Sequence, residues 1–203
     1  MIAKDLTYKI TRGAEVDTII DDLALLRITV FYDYPYLYEG SYAYEKQYLK
    51  IYSRADKSFI FSVYHDGKMV GATTCIPLAD ETEEVQKPFR EAGIDINTVF
   101  YFGESILLPA FRGTGLGHRF FDEREAHATR FETYLMTSFC AVDRGEAHPC
   151  KPDDYRPNDA FWLKRGYSKN KALQTFMEWP DIGQTESYPK KMIFWTRHLP
   201  SRL

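Results

Sequence analysis

Apolar and polar positions fall into blocks along the chain, and the period of each block predicts an element. Tyr8-Lys9-Ile10-Thr11 alternates and predicts a short first strand. From Val16 the period lengthens. Val16, Ile19, Ile20, Leu23, Leu26 and Val30 recur at helical spacing, which predicts an amphipathic helix to about Phe31, and Pro35 bars its continuation. A second helix is predicted from Tyr42 to Tyr52. Phe59, Phe61 and Val63 then alternate with Ser58, Ile60 and Ser62, Asp66-Gly67 supplies a hairpin turn, and Met69 to Ile76 returns as a strand.

The second half continues in the same way. Glu81 to Ala92 is charged and helical, closed by Gly93. A strand is predicted from Val99 to Leu108, a helix from Leu116 to Arg130 and a strand from Leu135 to Val142. A loop rich in Pro and Asp covers Arg144 to Pro157, and a short helix from Asn158 ends at the capping Gly166. Leu173 to Trp179 and Met192 to Thr196 form a final hairpin with a longer loop. The order β-α-α-β-β-α-β-α-β-α-β-β predicts one mixed α/β domain over residues 1–203.

Composition narrows the function. The formal net charge of -3 argues against a generic nucleic-acid binder but leaves room for a local basic patch. Met1-Ile2-Ala3-Lys4-Asp5 turns charged at once, unlike a secretory leader, and no apolar run approaches the ~20 residues that span a bilayer. Three cysteines, Cys75, Cys140 and Cys150, make no disulfide scaffold, so a reduced cytoplasmic compartment is expected.

The segment Arg112-Gly113-Thr114-Gly115-Leu116-Gly117-His118 joins a predicted strand to a predicted helix. Alternating glycines let an anion approach the backbone, and the helix aims unpaired N–H groups and its positive dipole end at the same space. A pyrophosphate suits that space, with Arg112 adding charge at the entrance. The glycines alone would equally permit a plain tight turn. No Gly-Lys-Ser/Thr ending makes it a P-loop, and no βαβ unit precedes it as in a dinucleotide fold.

These residues resemble the signature of the GNAT N-acetyltransferase superfamily, Arg/Gln-x-x-Gly-x-Gly/Ala, through Arg112, Gly115 and Gly117. Leu107, Pro109 and Phe111 match the strand end that precedes it, and the order of elements resembles the family over essentially the whole chain. The resemblance implies a GNAT-like, mostly antiparallel sheet flanked by helices and splayed between two central strands, Tyr101 to Leu108 and Leu135 to Val142. It also implies acetyl-CoA as donor, with the backbone of Ile106, Leu107 and Leu108 along pantetheine and the amides from Gly113 through Thr114, Gly115, Leu116 and Gly117 to His118 at the pyrophosphate. Neither a metal nor a membrane is implied, and a homodimer is left open.

Acetyl transfer to an alkylamine, whose pKa is about 10.4, requires a base. Glu104 shares a strand face with Ile106 and Leu108 and is the candidate; a structural ion pair is the alternative. The family's usual tyrosine acid is replaced by Trp162, leaving Tyr155, Tyr167, Cys140 or solvent to protonate the thiolate, and Tyr155 is taken as the candidate. A Cys140–His148 nucleophile pair would make a thiol hydrolase, and the two would then have to be adjacent. Asp122-Glu123-Arg124-Glu125 is expected to be a solvated helix face. Tyr32 to Tyr42, rich in tyrosine with interspersed carboxylates, is expected at the acceptor site, favouring a small-molecule amine. The rivals are a protein N-acetyltransferase and a non-catalytic acyl-CoA sensor.

Overall fold

The computed structural model describes residues 5–200, so the reading of Met1 to Lys4 lies outside the described residues. Seven strands form one sheet: β1 (Leu6–Thr11), β2 (Phe59–His65), β3 (Lys68–Pro77), β4 (Val99–Leu107), β5 (Met136–Val142), β6 (Ser168–Trp179) and β7 (Tyr188–His198). Their spatial order is β1-β2-β3-β4-β5-β7-β6. All neighbours are antiparallel except β4 and β5. Five α-helices complete the fold: α1 (Ile20–Phe31), α2 (Tyr42–Arg54), α3 (Glu83–Glu91), α4 (Leu116–Ala128) and α5 (Asp159–Lys164).

Alternation on the central strands separates two apolar layers. Ile60, Ile76, Tyr101 and Ile106 pack with α1, α2 and α3. Phe59, Phe61, Val63, Phe100 and Phe102 pack with α4 on the other side. The central strands are therefore buried on both faces, which explains why Ile60 stands among the serines of the alternating run. The helix expected from Val16 starts later. Residues Gly13–Thr18 form a 3-10 turn, and Ile19, with φ -124° and ψ 3°, breaks the path before α1 begins. The last hairpin is longer than the apolar pattern shows, because exposed polar residues such as Ser168 and Lys169 pair with β7.

Two features of β4 shape the centre. Its pairing with β5 is confined to Val99↔Met136, Phe100↔Thr137 and Tyr101↔Ser138. Beyond Tyr101 the strands part. At the same level the β3 register slips, so that Thr74 alone stands opposite both Gly103 and Glu104. This is a β-bulge, and it resets the side-chain phase. Gly103 and Glu104 both face α2: a Cβ on Gly103 would overlap Tyr52 Oη and lie 2.7 Å from Thr74 Oγ1. Glycine is what the close approach allows.

Candidate active site

The parting of β4 and β5 opens a cleft of about 1150 Å³. One wall is β4 with Ser105, Ile106 and Leu107, the other is β5 with Phe139 to Val142, and residues of loops 33–36 and 143–158 line it as well. Antiparallel geometry decides which backbone groups face the gap. The Leu108 N–H donates to Val70 O at 2.9 Å, so Leu108 is committed to β3, and by alternation Ile106, opposite Ala72, faces the same way. Of the trio expected along pantetheine, only Leu107 turns its backbone to the gap. The backbone groups of Ile106 and Leu108 are engaged with β3.

The glycine turn follows from sterics. Gly113 and Gly115 have φ of 75° and 89°, a region that β-carbons resist, and a Cβ at either would meet nothing within 4 Å. Gly115 caps α4 and offers no side-chain acceptor to the first-turn amides, which include those of Gly117 and His118. Thr114 Oγ1 donates to Phe111 O at 2.7 Å and ties the turn down, while Leu116 is buried. Arg112 and Gly117 line the cleft. Arg112 Nε donates to Leu107 O at 3.1 Å, and Nη2 lies 3.7 Å from Asp33. His118 lies edge-on to Phe161, with ring centroids 4.8 Å apart. The turn therefore presents an uncapped helix N-terminus beside open space, and these residues fit a pyrophosphate.

Glu104 lines the cleft but is 4% exposed and heavily engaged. Its Oε2 accepts from Tyr52 Oη at 2.9 Å and from Thr74 Oγ1, and its Oε1 pairs with Arg27 Nη1. Arg27 Nε also pairs with the fully buried Glu45. Burial acts to lower the Arg27 pKa, but Glu104 and Glu45 outweigh it and raise the value above the usual guanidinium range. Two carboxylates thus share one guanidinium. An ion pair is the alternative the sequence offers for Glu104, but no local pattern points to Arg27, Glu45, Tyr52 or Thr74.

Tyr155 lines the cleft from the loop and meets Tyr34 edge-on at 4.6 Å. Burial raises its phenol pKa, with Tyr34 and Asp159 adding to the effect. Tyr167 turns its hydroxyl to Thr137 and Glu125 in the α4 layer. Trp162 packs between Phe139 and Trp195, at 5.0 and 5.1 Å. Cys140 lines the gap with Sγ 3.1 Å from Tyr101 Oη, and burial pushes its thiol up to about 12. His148 instead lies 5.8 Å from the Tyr34 ring and accepts from Cys150 N. The structure gives the two residues no shared contact, and no group of metal-ligating residues occurs among the described residues.

The loop of Pro35 and Tyr36 is strapped down by Arg144, a residue that the sequence pattern does not single out. Its Nε donates to Pro35 O at 2.8 Å and Nη2 to Tyr36 O at 2.5 Å, while Nη1 and Nη2 grip Asp181 at 2.9 and 2.6 Å. Trp179 Nε1 adds a bond to Tyr36 O at 3.0 Å.

No protein-family model matches the chain, and no curated protein matches it. Solved structures do. An N-acetyltransferase from Staphylococcus aureus Mu50 superposes with a TM-score of 0.62 at 10% identity, covering 97% of this chain and 100% of that one. A GNAT-family acetyltransferase from Streptococcus pneumoniae gives 0.59 at 11% identity, covering 96% and 100%. A ribosomal-protein-alanine N-acetyltransferase from Brucella melitensis gives 0.55 at 15% identity, covering 94% and 99%. The chain has the GNAT fold. At these identities the likeness establishes the fold and leaves the chemistry to the site. Among the described residues no helix is long and apolar enough to cross a membrane.

Proposed function

We propose that this chain is an acetyl-CoA-dependent N-acetyltransferase of the cytoplasm, acting on a primary amine of a small molecule. The observation that carries the reading is the cleft where β4 leaves β5, placed beside an uncapped, glycine-lined helix N-terminus. Acetyl-CoA supplies an activated thioester; the Leu107 backbone would hold its arm, and the amides from Gly113 to His118 its pyrophosphate.

Glu104 is the proposed proton acceptor. Within the Glu45–Arg27–Glu104 group, Glu104 is the member that lines the cleft, where an amine can reach it. Tyr155 is the proposed donor to the departing thiolate, since Trp162 serves packing. The strap by Arg144 supports a small acceptor over a protein chain, because it pins Pro35 and Tyr36 of the loop that lines the cleft.

The test is a panel of aliphatic, aromatic and polycationic amines incubated with acetyl-CoA, with detection of free thiol. Amine-dependent thiol release is expected, and Glu104→Gln should lose activity most at lower pH. CoA binding without release across the panel would instead mark a sensor module. A pH–rate profile unchanged in Glu104→Gln would remove that residue from proton transfer.

A further inference from the structure

A cation without a counter-charge lies beneath the point where β4 and β5 separate. Arg124, on α4, is 1% exposed and forms part of the cleft lining. Its guanidinium sits 4.4 Å from the Phe102 ring centroid and 4.6 Å from that of Phe121. Nε donates to Phe120 O at 3.3 Å and Nη1 to Glu104 O at 3.4 Å, both long for such bonds. Nη2 is buried and donates to nothing among the described residues. Its neighbour Glu125 is occupied by Arg165 and Arg197, at 2.8 and 2.9 Å.

Other deeply placed cations among the described residues are matched. Arg27 has Glu45 and Glu104, while Arg144 and Lys190 have Asp181. Arg124 has only ring faces and carbonyls, and burial lowers its pKa to about 10, which leaves it charged at neutral pH. Arg124 lies on a buried helix stripe whose members Phe120, Phe121 and Ala128 are apolar. A charge kept here at a cost in stability points to a counter-charge that arrives with a ligand.

We propose that Arg124 balances the negative charge that gathers on the acyl oxygen during transfer. The inference rests on the acyl-CoA reading above. Its position is the reason: Nη1 lies at the carbonyl of Glu104, in the bulge beside Tyr101–Ser138, the last β4–β5 pair. In the step itself the amine nitrogen forms a bond to the thioester carbon while the carbonyl π pair moves onto oxygen. That pair then re-forms C=O as the C–S bond breaks; sulfur leaves with its electrons and takes a proton, and the nitrogen loses one. The oxygen carries charge only in between. Between two aromatic rings, a fixed cation acts on that charge far more strongly than it would in water.

Binding tests this without knowledge of the acceptor. Wild type, Arg124→Met and Arg124→Lys are titrated calorimetrically with acetyl-CoA and with S-carboxymethyl-CoA, which sets a permanent negative charge next to the acyl position. Wild type should prefer the carboxymethyl compound by at least about tenfold. Arg124→Met should lose that preference with acetyl-CoA affinity nearly unchanged, and Arg124→Lys should keep part of it. Arg124→Met should also melt at or above the wild-type temperature, because an unmatched buried charge is gone. Equal affinity for both compounds in wild type, a preference that survives Arg124→Met, or a lowered melting temperature in that variant would each overturn the proposal. Wild type that binds neither compound would overturn the acyl-CoA reading as well, so the two failures are distinguishable.

Discussion

Replacing Arg27 by Leu removes the one guanidinium that two buried carboxylates share. Glu45 is fully buried, and its Oε1 already lacks a partner, so after the change its charge has no match. Glu104 keeps Tyr52 and Thr74 as donors but loses its counter-ion. Leu also forfeits the stacking of the guanidinium on Phe31 and Tyr48, 4.9 and 4.6 Å from their centroids. Breaking a buried pair from one side costs about 3–5 kcal/mol, a large share of a domain's stability. Urea denaturation followed by circular dichroism at about pH 7.5 should show a loss of that size. A loss below about 1 kcal/mol would refute the reasoning.

Three further outcomes follow from single positions. Burial raises the Glu81 carboxyl from 4.5 to about 7, against a bond from the Thr82 amide, so wild-type stability should fall as pH rises through that interval. Glu81→Gln should flatten that fall and gain on the order of 3 kcal/mol above it, as read by pH-dependent urea melts. Gly103→Ala should destabilise by about 1–3 kcal/mol, since its methyl must displace Tyr52, and a melt matching wild type would deny the close approach. Arg144→Ala should raise KM for the amine acceptor several-fold with KM for acetyl-CoA nearly constant; the reverse split would place the strap on the donor side.

Much of the fold is legible in the sequence because local periodicity and turn chemistry agree with it. The Asp66-Gly67 turn, with φ of 50° and 73°, and Gly166 behind α5, with φ of 82°, lie where residue type alone puts them. The glycine turn is legible for the same reason. What periodicity misses is pairing across distance. Glu45 and Glu104 lie 18 and 77 positions after Arg27, and only the packing of α1 and α2 over β4 brings them together. The charge run at Asp122 to Glu125 has the composition of a solvated face, but its helical phase is mixed. Asp122 is exposed, but Arg124 falls on the buried stripe with Phe120, Phe121, His127 and Ala128. Arg27 carries the same signal, four positions after Leu23 on the inner face of α1. The bulge at Gly103–Glu104 leaves no local mark other than the glycine, so the backbone directions of Ile106 and Leu108 have to be read from the β3 register.

The measurement that bears most directly on the account is calorimetric titration of wild type and Gly115→Ala with CoA. Saturable binding at a single site in wild type is predicted. It should weaken several-fold or more in Gly115→Ala, because φ of 89° at the cap of α4 is what aims the first-turn amides at an anion. No saturation at millimolar CoA, or equal affinity in the two proteins, would contradict the assignment of the glycine turn and the cleft beside it.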